Sequence, residues 1–157
     1  MLDLREVMRR WATGVTIVTA ENDDQKHGAT VSSLTSISID PPLVTVTIAK
    51  GTRTHHLLQL AGKFGITILS DQQQSLSERF AGELAEDQDR FEGVNFKYLV
   101  EGIPVLIGGL ACMGCSVEYQ YDMPKSTLFV GRVVIAELGA EDPPLIYVNR
   151  TYRRLEE

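Results

Sequence analysis

The spacing of apolar residues changes period several times along the chain, and each change marks an element. Leu4, Val7, Met8 and Trp11 recur at i, i+3, i+4 and i+7, which predicts a short amphipathic helix, ended by Gly14, with Trp11 in the core. Val15-Thr16-Ile17-Val18-Thr19 is β-branched throughout and predicts a strand; the polar turn Glu21 to Lys26 makes a hairpin of it with the segment that follows. Leu43 to Ile48 sets Val44, Val46 and Ile48 against Thr45 and Thr47, a half-buried strand entered just after Pro41-Pro42. A second short helix is predicted over His55 to Leu60, with Thr52 or Thr54 as its N-cap.

Phe64, Ile66 and Ile68 mark another strand. From Ser70 a longer helix is predicted, with Leu76, Phe80 and Leu84 on one stripe and Ser75-Leu76-Ser77-Glu78 as a capping box. Gly109 to Val117, Thr127 to Leu138 and Leu145 to Val148 read as further strands separated by turns containing Gly or Pro. Most connections are too short for helical crossovers, so the strands pair antiparallel. The expectation is one mainly β domain over residues 1–157, a small closed barrel with two or three peripheral helices.

Charge narrows the partners. A net charge of −6 with no run of Lys or Arg argues against nucleic acid. No apolar stretch approaches the roughly 20 residues of a membrane helix, and the start lacks a signal peptide's layout, so a cytoplasmic protein off the membrane is expected. Cys112 and Cys115 stand three apart in a strand, where side chains point to opposite faces; without a second pair they read as buried thiols rather than half a zinc site. His27, His55 and His56 have no metal spacing and read as solvated or capping residues, and no metal is expected. Glu83, Glu86, Asp87 and Asp89 read as a solvated face.

No nucleophile elbow, phosphate-binding P-loop or dinucleotide fingerprint is present, so an enzyme built on this chain would leave the chemistry to a cofactor. Two segments could share such a site. Gly28 to Pro42 carries six hydroxyl side chains, among them Thr30, Ser32 and Ser33; it fits either an ordinary strand and turn or the polar edge of a flat ring. Lys50-Gly51-Thr52-Arg53-Thr54 brings two cations, two hydroxyls and free N–H groups to a helix start, as a capped surface turn or as a phosphate site.

Seven blocks stand in order along the chain: Trp11 to Thr19, Gly28 to Pro42, Lys50 to Thr54, Glu78-Arg79-Phe80-Ala81, Arg90-Phe91-Glu92-Gly93-Val94, Gly102-Ile103-Pro104-Val105-Leu106 and Leu128-Phe129-Val130-Gly131-Arg132-Val133. Together they resemble the flavin reductase-like family of split β-barrels. The resemblance implies an antiparallel, Greek-key split barrel forming a homodimer. It implies FMN, or FAD, with the ring against Thr30, Val31, Ser32 and Ser33 and the phosphate at Ala49, Lys50, Thr52, Arg53 and Thr54. It further implies hydride transfer from NADH or NADPH to the flavin, with reduced flavin passed to a partner flavin-dependent monooxygenase or another acceptor. Many members carry Gly-Asp-His where this chain has Pro124-Lys125-Ser126, which makes Ser126 the residue on the nicotinamide side. Serine donates a hydrogen bond but carries no charge near neutrality. An electron-transfer or carrier flavoprotein without its own NAD(P)H oxidation is therefore the alternative.

Overall fold

The structure, a computed structural model, describes residues 1–156. Helix α1 (Leu4–Met8) leads into β1 (Thr13–Gly14), β2 (Thr16–Asn22), β3 (Gln25–Val31), β4 (Thr35–Ser38) and β5 (Leu43–Ala49). Then come α2 (Arg53–Ala61), β6 (Lys63–Ile68), a 3₁₀ turn (Asp71–Gln73), α3 (Gln74–Glu78) and a π-helical turn (Arg79–Glu83). The chain ends with β7 (Phe96–Val100), β8 (Ile103–Leu106), β9 (Ala111–Asp122), β10 (Ser126–Leu138), β11 (Ile146–Val148) and β12 (Thr151–Arg153).

Seven strands form one antiparallel sheet in the order β3-β2-β6-β9-β10-β5-β4, with β7-β8 and β1-β11-β12 as small satellites. The unbroken β-branched run of β2 is explained by its place: it is covered on both faces. Val18 and Ala20 join Val46, Phe64, Phe129 and the α2 residues Leu57 and Leu58 in one core cluster, while Val15 and Ile17 pack with Leu69, Phe80 and Phe91 in another. Asp23 and Asp24, at φ 50° and 61°, make the two-residue turn that fixes the β2–β3 register.

The expected closed barrel is corrected to an open one. β3 and β4 are the sheet's two ends and do not pair with each other. β3 faces β5, the neighbour of β4, across a seam bridged by side chains rather than by a backbone ladder. Split, rather than closed, describes the molecule.

Three local expectations are also corrected. The first helix is only five residues long and buries none of them; Gly14 lies in β1, and Trp11 is 67% exposed instead of in the core. Its apolar stripe projects past the sheet, tied back by the Asn149 N–H to the Arg9 carbonyl at 2.8 Å. The longer helix is broken into three kinds of turn, ends at Gly82 with φ 112°, and leaves Leu84 extended. Its capping box is Ser70 with Gln73, because the chain leaves β6 there, and Ser75 lies inside α3. Both cysteines are buried and free; burial pushes the Cys115 thiol up to about 12 and raises Cys112 as well.

Candidate functional site

Ser33 holds the seam. Its Oγ accepts from the Thr47 N–H at 2.9 Å and donates to the Thr47 carbonyl at 3.3 Å. Beside this bridge lies a cavity of about 370 Å³ lined by Ala29, Thr30, Val31, Ser32 and Ser33 from one side and Thr47, Ile48, Ala49 and Thr52 from the other. The two segments singled out in the sequence thus meet in one space. Val31 is buried, so it offers the cavity its backbone. Thr30 donates to the Ser77 carbonyl at 2.6 Å, and Ser33 is spent on the Thr47 backbone, which leaves Ser32 and Thr47 as the hydroxyls there without a partner among the described residues. Ser32 also borders two adjoining grooves, about 220 Å³ toward Tyr152 and about 650 Å³ beneath Trp11. Behind the cavity Gly28 is required: a Cβ there would stand 2.9 Å from the Phe80 ring that supports β3.

At the Thr52 end the chemistry becomes ionic. Gly51, at φ 82°, turns the chain, and Thr52 caps α2 by accepting the His55 N–H at 3.2 Å. The free N–H of Arg53 donates to Oε2 of Glu86 at 2.8 Å, and the Arg53 guanidinium donates to the Glu86 carbonyl at 3.1 Å. Oε1 of Glu86 meets Arg90 at 3.2 Å. Arg90 is buried, and its guanidinium also donates to the carbonyls of Gly28, Phe80 and Leu84. Glu86, with its side chain 45% exposed, keeps one side to solvent and turns the other to Arg53 and Arg90.

Thr54 turns inward. It is fully buried, with its hydroxyl 2.8 Å from Nδ1 of His27. His27, expected to be solvated or capping, is fully buried too; burial, and then the nearby Arg90, push its pKa down to about 4. Lys50 points away from the cavity toward Asp122, at 3.5 Å. Asp122 accepts from Thr127 at 3.0 Å, and Thr127 meets Nε2 of His55 at 2.8 Å. The Thr127 hydroxyl first, and then Lys50, lower the Asp122 pKa; burial and then Lys50 lower that of His55. Ser126 is the register partner of Ala49, so it flanks the cavity from the β10 side without lining it.

Of the anticipated residues, Thr30, Val31, Ser32, Ser33, Ala49 and Thr52 surround one cavity, whereas Lys50, Arg53 and Thr54 stand at its margin with partners of their own. Glu86, Arg90 and His27 escaped sequence reasoning as a cluster. The pair had a signal, since Glu86 stands four residues before Arg90, a spacing at which opposite charges can meet; His27, far back in the chain, had none.

An antiparallel sheet left open along a seam, with a neutral pocket on the seam and an anion-holding helix start at its end, defines a split-barrel protein with room for a flat, acidic ligand. The chain belongs to the flavin reductase like domain family, whose profile it matches over residues 8–156. It is 38% identical over 159 residues to an NADH-dependent flavin reductase of a Rhodococcus species, covering 99% of this chain and 86% of that one. It is 34% identical over 151 residues to the reductase component of 4-hydroxyphenylacetate 3-monooxygenase of Thermus thermophilus, covering 96% and 94%. The solved structure of flavin reductase PheA2 in its native state superposes with a TM-score of 0.89, at 33% identity over the whole of both chains.

Proposed function

We propose that this chain is a flavin reductase that holds FMN or FAD along the β3–β5 seam and aligns NADH or NADPH for hydride transfer to it. The observation that carries this reading is the single cavity joining Thr30–Ser33 to Ala49 and Thr52, with a carboxylate already seated on the α2 N–H group at its end. That carboxylate, held by the Arg53 N–H, supports reading the donors there as an anion site. Bound flavin supplies the hydride-accepting ring.

The chain's own part is positioning. Ser32 and the backbone of Val31–Ser33 orient the ring edge, and Thr52 with Arg53 holds the phosphate. Ser126, with Lys125, borders the nicotinamide. The Rhodococcus relative's name favours NADH, and the Thermus relative's name favours a monooxygenase as the recipient of reduced flavin. A homodimer in which a second copy covers the exposed Leu4, Val7, Met8 and Trp11 accounts for a stripe the chain leaves open. The free thiols suit the reducing cytoplasm. Among the described residues no helix is long and apolar enough to cross a membrane.

The test is to add FMN or FAD to the purified protein, record the flavin spectrum, and follow NADH and NADPH consumption. Flavin-dependent consumption is expected; flavin binding without it would leave a carrier, and no binding would refute the site. Arg53→Ala is expected to weaken FMN about tenfold and riboflavin little, because only FMN carries the phosphate. Equal losses would show that the phosphate lies elsewhere.

A further inference from the structure

We propose that Glu86 is a specificity-determining residue of this site: a tethered carboxylate seated where the flavin phosphate binds, which the phosphate displaces. The inference rests on the phosphate reading above. The Glu86 carboxylate makes the two contacts a phosphate seeks, the Arg53 N–H at 2.8 Å and the Arg90 guanidinium at 3.2 Å. Arg90 is a buried cation whose other partners, the carbonyls of Gly28, Phe80 and Leu84, are neutral. Glu86 is the one carboxylate paired with it among the described residues. A buried charge needs a counter-charge, so Glu86 leaves only when another anion arrives. Beside this cluster His27, fully buried, keeps Nε2 without a partner among the described residues, so the surroundings are polar beyond what those residues satisfy.

The electrostatics give the direction. Phosphate and carboxylate repel at this distance, so one anion excludes the other, and the exchange trades one set of charge-assisted bonds for another. The consequence is a moderated affinity for phosphorylated flavin with the affinity for the ring left unchanged, which suits a protein that must release its flavin. Glu86 sits in the stretch that links the π-helical turn to Arg90, outside any strand or helix, and can swing away without breaking a ladder.

The experiment compares FMN and riboflavin binding by quenching of flavin fluorescence in the native chain and in Glu86→Gln. The variant is expected to bind FMN about tenfold more tightly, with riboflavin unchanged, and inorganic phosphate is expected to raise its melting temperature more than that of the native chain. A variant that binds FMN no better, or less well, overturns the proposal while the phosphate reading stands, provided the native chain prefers FMN to riboflavin. If the native chain and the variant both bind FMN and riboflavin alike, the phosphate reading itself fails. Should the variant not fold, hydrogen exchange of the native chain decides: FMN, but not riboflavin, is expected to speed exchange of the amides at 84–89. Protection of those amides by FMN overturns the proposal.

Discussion

The two ends of the seam cavity are built on different physics. At the Ser32 end every contact is between neutral groups: strand ladders, the Ser33–Thr47 bridge and the Thr30–Ser77 bond. At the Thr52 end one buried guanidinium, one carboxylate and one buried histidine lie close together. Neutral bonds each contribute about 1 kcal/mol and can be lost singly, whereas a buried charge fails all at once. The ring end therefore tolerates substitution and the ionic end does not.

The sharpest way to break this contrast is Arg90→Met. The guanidinium bonds to Gly28, Phe80, Leu84 and Glu86, tying β3, the π-helical turn and the α2 start together. Removing it leaves the carbonyls of Gly28, Phe80 and Leu84 without their donor, while Glu86, its side chain 45% exposed, can turn to water; the expected loss is about 3 kcal/mol, chiefly from the unpaired carbonyls. Urea unfolding of the two proteins measures it; a loss below about 1 kcal/mol would mean that the cluster is solvated and the two ends are alike.

The next effect belongs to His27 and appears with pH. Its pKa in the fold lies near 4, below the 6.5 of an ordinary histidine, because burial and the facing Arg90 and Arg53 outweigh Glu86 and Asp89. The unfolded chain therefore takes up a proton below pH 6.5 that the folded chain refuses until about pH 4. The stability contribution is complete above pH 6.5 and falls by about 3 kcal/mol as the pH drops through that window. In His27→Gln the pH profile of stability is expected to be flatter over the same range, and identical slopes would place the histidine in water.

The same contrast explains what the sequence disclosed. Periodic patterns expose strands, so β2, β5, β6 and β10 were legible from Val15–Thr19, Leu43–Ile48, Phe64–Ile68 and Thr127–Leu138, and Thr52 was legible as a cap. The hydroxyl-rich segment was legible as a ligand edge because it is contiguous. Glu86 and Arg90 stand four residues apart, but the Arg53 N–H and His27 that complete the cluster lie more than thirty residues away and meet them only through the fold, so no window of sequence contains it. Trp11 misled for the opposite reason: its periodicity reports an apolar face truthfully but says nothing about what covers it.

The smallest effect is also the most discriminating, and it belongs to the neutral end. Ser33→Ala removes both contacts to Thr47 and leaves an exposed N–H and carbonyl that water can satisfy, so the expected stability loss is only about 1 kcal/mol. The seam then loses its one direct bridge at the ring side. FMN and riboflavin share the ring, so their affinities are expected to fall together, by about fivefold. Glu86→Gln is expected to separate the two ligands, and Ser33→Ala to move them in step. If Ser33→Ala instead weakens FMN alone, the division of the cavity into a ring end and a phosphate end is wrong, and the hydroxyl must be reassigned to the phosphate.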